Sequence, residues 1–446
     1  MRIQYITISG LFGMFDHRIP MFPSDPITII HGPNGIGKTS ILRLIYGTLK
    51  PDYSHLRQVP FSEIEIQFEN DIALAASLSA EEHYAEEVPR RAGRRRIPRR
   101  AVHLSLKKSG RVKEEFDYVQ TEPPPRLQSR VDEVLPFLHR VGPREWHDPT
   151  REEMLSFEEV IQLYGDELPE EYRTLGEPDW LRDIQSQTPI HFIETQRLLD
   201  VRHSSPFHGR RRPSESVVKR CSDDLASRIK SKLAESATLS QSLERTFPSR
   251  LISAETSPLS ETQIREELAR IDARRSRLAE AGLLDRGFEP PLPDKEFDET
   301  TKRVLTVYIQ DTEEKLAIFD NFLSRVELMK GIVNSRFLYK SLNVGREQGF
   351  VLTTREGRGV SLTDLSSGEQ HELVLLYELL FRAKENTFIL IDEPELSLHI
   401  AWQQQFLRDL INITRLAKLQ ALVATHSPQI IHDRWDLTIE LAGPPA

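Results

Sequence analysis

One cysteine, Cys221, stands among 446 residues. No internal disulfide can form, and a reducing compartment, the cytoplasm, is the expected setting. The chain lacks any run of about 18 apolar residues, which excludes a helix able to span a bilayer. Its start, Met1-Arg2-Ile3-Gln4-Tyr5, lacks the apolar stretch and small-residue cleavage site of a secretion signal. Basic residues are outnumbered, 59 against 68 acidic ones, and the formal charge of -9 argues against a protein that coats nucleic acid over its whole surface. A local basic patch stays open. No internal repeat of the length that builds solenoids is present. What is present is 38% hydrophobic and 28% charged residues, over a length of roughly three average domains, enough to bury a substantial core.

Alternating apolar residues over Ile3 to Ile8 predict a strand, and the run Ile27-Thr28-Ile29-Ile30 predicts a second one buried on both faces. A glycine-rich turn follows. Ser40 to Leu49 then places Ile41, Leu42, Leu44, Ile45 and Leu49 at helical spacing, and the pattern stops where Pro51 forbids continuation. Further strands are expected at Ile64 to Phe68, Val102 to Lys107 and Ile190 to Ile193. From about 122 the character changes. Pro123-Pro124-Pro125 is followed by charged segments with helical periodicity, namely Val217 to Leu243, Glu261 to Ala281 and Thr300 to Val333. The last has no sustained heptad, which points to short helical hairpins and not to a long coiled coil. Pro206 to Pro213 and Pro290 to Pro293 read as linkers. After 362, Leu373 to Phe381 is apolar nearly all round a helix, Phe388 to Ile391 is a buried strand, His399 to Ile413 is a periodic helix and Ala421 to Ala424 is another strand. Strand and helix alternate again, so one α/β unit is expected to be split by the helical region.

Gly32-Pro33-Asn34-Gly35-Ile36-Gly37-Lys38-Thr39 matches the phosphate-loop pattern at every fixed position, between a buried strand and the helix opening at Ser40. Glycines let successive backbone N–H groups turn inward around phosphate oxygens. The following helix points its positive end at the same place, Lys38 neutralises the β and γ phosphates, and Thr39 offers a hydroxyl to Mg²⁺. Phe388-Ile389-Leu390-Ile391-Asp392-Glu393 puts two carboxylates at the exit of a buried strand. There Asp392 can hold the Mg²⁺ shell and Glu393 can orient and deprotonate the attacking water; by themselves two adjacent acids could equally open a helix. Leu365-Ser366-Ser367-Gly368-Glu369-Gln370 precedes an apolar helix, and Ser366 with Glu369 has the spacing of a capping box, which any helix start can show. His426, in Ala424-Thr425-His426-Ser427-Pro428 after the last apolar strand, could by itself be structural.

As a set, these residues resemble the ATP-binding-cassette superfamily, whose signature has the form LSGGQ and lies just upstream of the paired acids. Ser366 aligns with the signature serine and Gly368 with its second glycine, while Ser367 replaces the first. The resemblance implies an α/β fold, an ABC-type P-loop NTPase head split by a mainly helical insertion. The implied divisions are 1–121, the N-terminal part of the head; 122–184, helical insertion; 185–200, a further head strand; 201–334, helical hairpins; and 335–446, the C-terminal part of the head. It implies ATP and Mg²⁺ as ligands and a homodimer or higher oligomer, in which the signature turn Ser366 to Glu369 caps the γ-phosphate held by the opposite subunit. His426 takes the place of the switch histidine at the γ-phosphate and attacking water. Gln196, in Phe192-Ile193-Glu194-Thr195-Gln196-Arg197, takes that of the mobile glutamine linking Mg²⁺ to the insertion, with Gln67 a competing position.

The wording Asp392-Glu393-Pro394-Glu395-Leu396-Ser397-Leu398-His399 resembles SMC, RecF and OLD-type ATPases, and the long separation of Lys38 from Ser366 sets transporter cassettes aside. Within that branch the chain is similar to compact ATPase subunits of bacterial anti-phage systems such as the Septu and PARIS types, which work beside a separate nuclease. Few residues follow His426 and 201–334 holds no nuclease-like cluster, so any nuclease or toxin is expected on another polypeptide. A DNA-repair ATPase and a nucleotide-stabilised scaffold that stores an effector are the competing readings. Slow hydrolysis would suit a switch. Arg90-Arg91-Ala92-Gly93-Arg94-Arg95-Arg96-Ile97-Pro98-Arg99-Arg100 is either a grip on DNA phosphates or a solvated loop, and it has no aromatic residue for base stacking. Arg210-Arg211-Arg212 carries the same two readings.

Overall fold

A computed structural model of the chain describes residues 1–50, 53–82, 100–118, 131–142, 145–148, 153–156, 160, 164, 177–194, 216–253, 259–285 and 296–443. It divides into two compact units, one made of residues 1–215 with 383–446 and the other of 216–382. The arginine segments at 90–99 and 210–212, the proline clusters at 123–125, 206–213 and 290–293, and Gln196 lie outside the described residues.

The first unit is built on two sheets. One is antiparallel, in the order β2-β1-β4-β5-β6-β7, from β1 (Ile3–Leu11), β2 (Phe15–Pro20), β4 (Glu63–Phe68), β5 (Ile72–Glu82), β6 (Arg100–Lys108) and β7 (Arg111–Tyr118). The other runs β11-β15-β16-β3-β17, from β3 (Ile27–His31), β11 (Ile190–Ile193), β15 (Phe388–Asp392), β16 (Gln420–Ala424) and β17 (Thr438–Glu440), with every pair parallel. Its inner strands are apolar and buried at nearly every position, as a parallel sheet covered on both faces requires. Helix α1 (Lys38–Leu49) touches strands of both sheets and buries Ile41, Leu42, Leu44, Ile45 and Leu49, the residues whose spacing predicted it. Gln420 ties the sheets at their rim, donating from its amide to the Ile3 carbonyl at 3.0 Å and accepting the Ile3 N–H at 3.3 Å. Two helices flank this framework, α2 (Asp179–Gln187) ahead of β11 and α8 (Ile400–Ala417) ahead of β16.

The expected helical insertion over 122–184 is different in kind. Its described residues include a three-stranded antiparallel sheet, β8 (His139–Arg140), β9 (Glu145–Asp148) and β10 (Glu153–Ser156), around a small core of Val131, Leu135, Leu138, Trp146, Leu155, Val160 and Tyr164. Strands of two to four residues are too short to print an alternating pattern, so periodicity missed them.

The second unit holds α3 (Val217–Ser253), α4 (Glu261–Glu280), α5 (Glu299–Ala317) and α6 (Asp320–Arg336), then the antiparallel sheet β12 (Lys340–Gly345), β13 (Gly349–Thr354) and β14 (Gly359–Val360), then α7 (Ser367–Tyr377), extended by a π-helical turn over Glu378–Arg382. The segment 300–333 is thus two helices, broken around Ile318 and Phe319. The arginines of α4 are engaged inside the unit. Arg274 pairs with Asp320 and Arg277 with Glu327, which latches this charge-balanced helix to α6. The boundaries also differ from 201 and 334. Residues 335–382 cluster with the helices, because α7 is packed by α3 and α6, which is why its sequence is apolar nearly all round.

Candidate nucleotide site

Three consecutive strands of the parallel sheet, β15, β16 and β3, end side by side, and the loops leaving them carry the chemistry. After β3 the chain turns through Gly35 at φ 88° and Gly37 at φ 95°, left-handed conformations that side chains resist. At Gly37 a Cβ would also meet the Leu11 and Phe12 side chains, at 2.8 and 2.9 Å. Ile36 is buried in the apolar core, which leaves its backbone as the functional part, whereas Asn34 and Gly35 are exposed. Gly37 caps α1 without a side-chain hydrogen bond, and no acid occupies the first turn. The amides of Lys38, Thr39 and Ser40 at this helix start therefore suit an anion.

Lys38 is buried, and its ammonium donates to the carbonyls of Gly32 at 2.9 Å and Pro33 at 3.2 Å and to His426 Nδ1 at 3.1 Å. Burial lowers its pKa, against the pull of Glu393, Asp392 and Glu395. Thr39 Oγ1 donates to the Asp392 carboxylate, lying 3.2 and 3.0 Å from its two oxygens. Burial raises the Asp392 pKa, and Thr39 opposes that shift by hydrogen bonding to the charged form. Two hard oxygen donors therefore sit together, the set Mg²⁺ takes from protein when phosphate and water complete its shell. Among the described residues no group of three or more His, Cys, Asp or Glu forms a metal site by itself.

Glu393 leaves β15 at φ 42°, an unusual conformation for a side-chain-bearing residue and the kind of strain found at functional sites. Its N–H donates to the Ala424 carbonyl at 2.9 Å, and its Oε1 lies 3.3 Å from His426 Nε2. Lys38, Thr39, Asp392, Glu393 and His426 are thus brought together from both ends of the chain. At the exit of β11, Ile193 is in register with Ile391 and Glu194 approaches Arg43 to 3.8 Å; the strand ahead of Gln196 therefore reaches the level of the acids. Gln67, its competitor, points its amide at the Phe68 carbonyl within the antiparallel sheet.

Ser366, Ser367, Gly368 and Glu369 belong to the second unit. Ser366 caps α7 by accepting the Glu369 N–H, while Glu369 accepts the Ser366 N–H at 2.8 Å, so the capping box is formed in full. Lys340 reaches both Glu369 oxygens at 2.8 Å. Burial pushes the Glu369 pKa up, but Lys340 and Ser366 outweigh it and the net shift is downward.

Motif reading assigned no role to Glu395. One of its carboxylate oxygens accepts the Thr425 hydroxyl at 2.7 Å, the His426 N–H at 2.7 Å and the Ser427 N–H at 3.1 Å. Gln403 braces the same corner, donating to the Glu395 carbonyl and accepting from the Ser427 hydroxyl, each at 3.1 Å. In the sequence it stood out only as a third acid, two places after Glu393, within the wording from Asp392 to His399, with partners some thirty positions away.

Residues 227–432 match a family model described as AAA domain, putative AbiEii toxin, Type IV TA system. The matched span runs from within α3 past Ser366, Asp392 and His426, and the phosphate loop at 32–39 lies outside it. No curated protein matches the sequence. Among solved structures, the Smc head domain with an extended coiled coil bound to the C-terminal domain of ScpA, from Pyrococcus furiosus, is 12% identical over 96% of this chain and 90% of that one, at a TM-score of 0.32. The SMC head domain from Thermotoga maritima is 12% identical over 97% and 91%, at 0.33. Likeness at this level assigns no activity.

Proposed function

We propose that the chain is an ATP-binding and ATP-hydrolysing head of the ABC class, similar to SMC and OLD-type ATPases. It pairs with a second copy around ATP and uses the closed state to control a partner effector, a nuclease or toxin, in bacterial anti-phage defence. The observation that carries this reading is the meeting of Lys38, Thr39, Asp392, Glu393 and His426 at the ends of neighbouring parallel strands. The matched model's description, with its toxin and Type IV TA system, supports the effector side of the proposal.

In this reading the amides of 35 to 40 and the Lys38 ammonium bind the β and γ phosphates. Thr39 and Asp392 would hold Mg²⁺, which when bound would supply positive charge to offset that of the phosphates. Glu393 accepts a proton from the attacking water, and His426 holds the ring beside that carboxylate. Ser366 and Gly368 act on the γ-phosphate of the opposite copy, a role that follows from the family resemblance, and Gln196 links the cation to the rest of the chain.

Two variants test the assignment. Lys38→Ala should weaken binding of a fluorescent ATP analogue by about 100-fold or more, since it removes the one cation in the loop. Glu393→Gln should bind ATP as before, fall by on the order of 100-fold or more in turnover, and accumulate the paired form in light scattering. Normal ATP binding by the Lys38→Ala chain would overturn the site. An unaltered effector response in cells carrying Glu393→Gln would favour a scaffold that does not need turnover.

A further inference from the structure

We propose that Glu395 is a positioning residue for hydrolysis, one that fixes the backbone of the 425–427 loop so that the His426 ring is presented in a single tautomer between Lys38 and Glu393. This rests on the ATPase reading above and deepens it. Three donors from three consecutive residues converge on one oxygen of Glu395. An acceptor that takes the His426 N–H itself sets where the Cα of that residue stands, and Gln403 blocks the escape of both Glu395 and Ser427. What is left free is rotation of the ring.

The ring's protonation follows from its neighbours. An ammonium carries donors only, so the contact at 3.1 Å makes His426 Nδ1 the acceptor of a Lys38 proton. The proton of the neutral imidazole then resides on Nε2, 3.3 Å from Glu393 Oε1. Lys38 is thereby supplied with three acceptors, the Gly32 and Pro33 carbonyls and His426 Nδ1, matching its three protons. An incoming γ-phosphate takes over the ammonium by displacing the ring from it, and the released ring stays beside Glu393 because the loop beneath it is pinned. Glu395 touches neither phosphate nor water in this scheme; it acts through His426.

The test uses the full chain with selectively ¹⁵N-labelled histidine and steady-state ATPase assays. Glu395→Ala should lower kcat about 10- to 100-fold, the cost of a small misplacement of a catalytic group, while KM for ATP moves less than about threefold. In the same variant without nucleotide, the His426 nitrogen shifts should change from a single Nε2–H tautomer to a mixture. Glu395→Gln keeps an acceptor oxygen at the same reach and should restore both the single tautomer and most of the turnover. Thr425→Val, which deletes one of the three donors, should show a smaller drop of about threefold with partial mixing, and it serves if the alanine variant does not fold. Unchanged turnover and shifts in Glu395→Ala, or in Thr425→Val where that variant stands in for it, would overturn the proposal. So would a Glu395→Gln chain as impaired as the alanine one, since the scheme needs an acceptor and not a charge. If the unaltered chain hydrolysed no ATP, the ATPase reading would fail by itself, and the tautomer measurement would still report on the loop.

Discussion

The two units handle buried negative charge in opposite ways. In the first unit, three carboxylates take their hydrogen bonds from hydroxyls and backbone amides. Asp392 accepts from Thr39, Glu395 from Thr425 and two backbone N–H groups, and Glu177 from Tyr53. In the second unit each carboxylate of comparable placement meets a cation: Asp311 with Arg250, Glu372 with Arg336, Glu369 with Lys340. The pKa directions follow. Burial raises Asp392 and Glu177, whereas Glu369, and Asp224 beside Arg228 and Tyr377, are lowered despite burial. On the proposed reading, acids that are to share a cation with phosphate are better held by hydroxyls and amides than by close arginine pairs, whereas a helical unit that holds its shape can use such pairs. On the proposed nucleotide reading, the difference is that these first-unit carboxylates are held by hydroxyl and amide donors beside the site, whereas those of the second unit are held by cations within its packing.

The most severe way to break this comparison is to remove a cation from the second unit. Arg336 and Glu372 join the end of α6 to α7, and both side chains are almost wholly buried, at 3% and 1% exposure. Arg336→Met leaves an uncompensated carboxylate in the core and should cost about 3–5 kcal/mol in denaturant unfolding. Adding Glu372→Leu should recover most of that loss, because two apolar side chains replace the pair without stranding a charge. If the single variant melted with the unaltered chain, the ion pairs of the second unit would not be serving packing.

The next test looks for a pH dependence of one sign in the first unit. Glu177 is buried and its pKa is raised, chiefly by burial, with the Tyr53 hydroxyl and Gln185 amide opposing. A raised folded value means that the stabilising contribution is complete below the ordinary glutamate range, near 4.5, and is lost as pH rises through the folded value. In Glu177→Gln the Tyr53 partner is kept and the titration is gone. Relative to the unaltered chain, the variant should therefore gain stability from pH 4.5 upward, by at most about 1.4 kcal/mol per pH unit, until the folded group itself ionises. Parallel unfolding curves across that window would contradict a raised Glu177 pKa.

The legible parts of the molecule were those in which chemistry and its spacing occupy neighbouring positions. Gly32 to Thr39 declares its turn by consecutive glycines, Asp392 and Glu393 by following a buried strand, and the Ser366 to Glu369 capping box closes within one helical turn. The strands Ile27–His31, Phe388–Asp392 and Gln420–Ala424 are apolar throughout because both faces are covered, a pattern that survives without a partner in view. Glu395 was not legible, since an acid in a turn looks the same whether it faces solvent or a loop thirty positions on. Nor was the sheet at 139–156, whose strands of two to four residues are too short to establish a pattern, nor the boundary at 382, where the helical run ends with no glycine or proline to mark it.

The smallest effect is expected at the one place where both habits meet. Glu369 accepts a backbone N–H and a hydroxyl from Ser366, as carboxylates do in the first unit, yet Lys340 grips both of its oxygens. Its folded pKa is lowered, so its contribution is complete above the ordinary glutamate range and fades as pH falls through the folded value, the reverse of Glu177. Glu369→Ala should cost about 1 kcal/mol at neutral pH, the usual loss when a helix cap is removed, and the difference from the unaltered chain should close on acidification. Lys340→Met isolates the ionic half. It should leave the capping hydrogen bonds in place, cost less than Glu369→Ala, and shrink further in molar salt, because the pair is only partly buried. Were Lys340→Met instead to match Glu369→Ala in cost and ignore salt, the lysine would be acting through its aliphatic stem. This corner would then follow the packing of its neighbours, and the electrostatic contrast between the units would stop at Arg336.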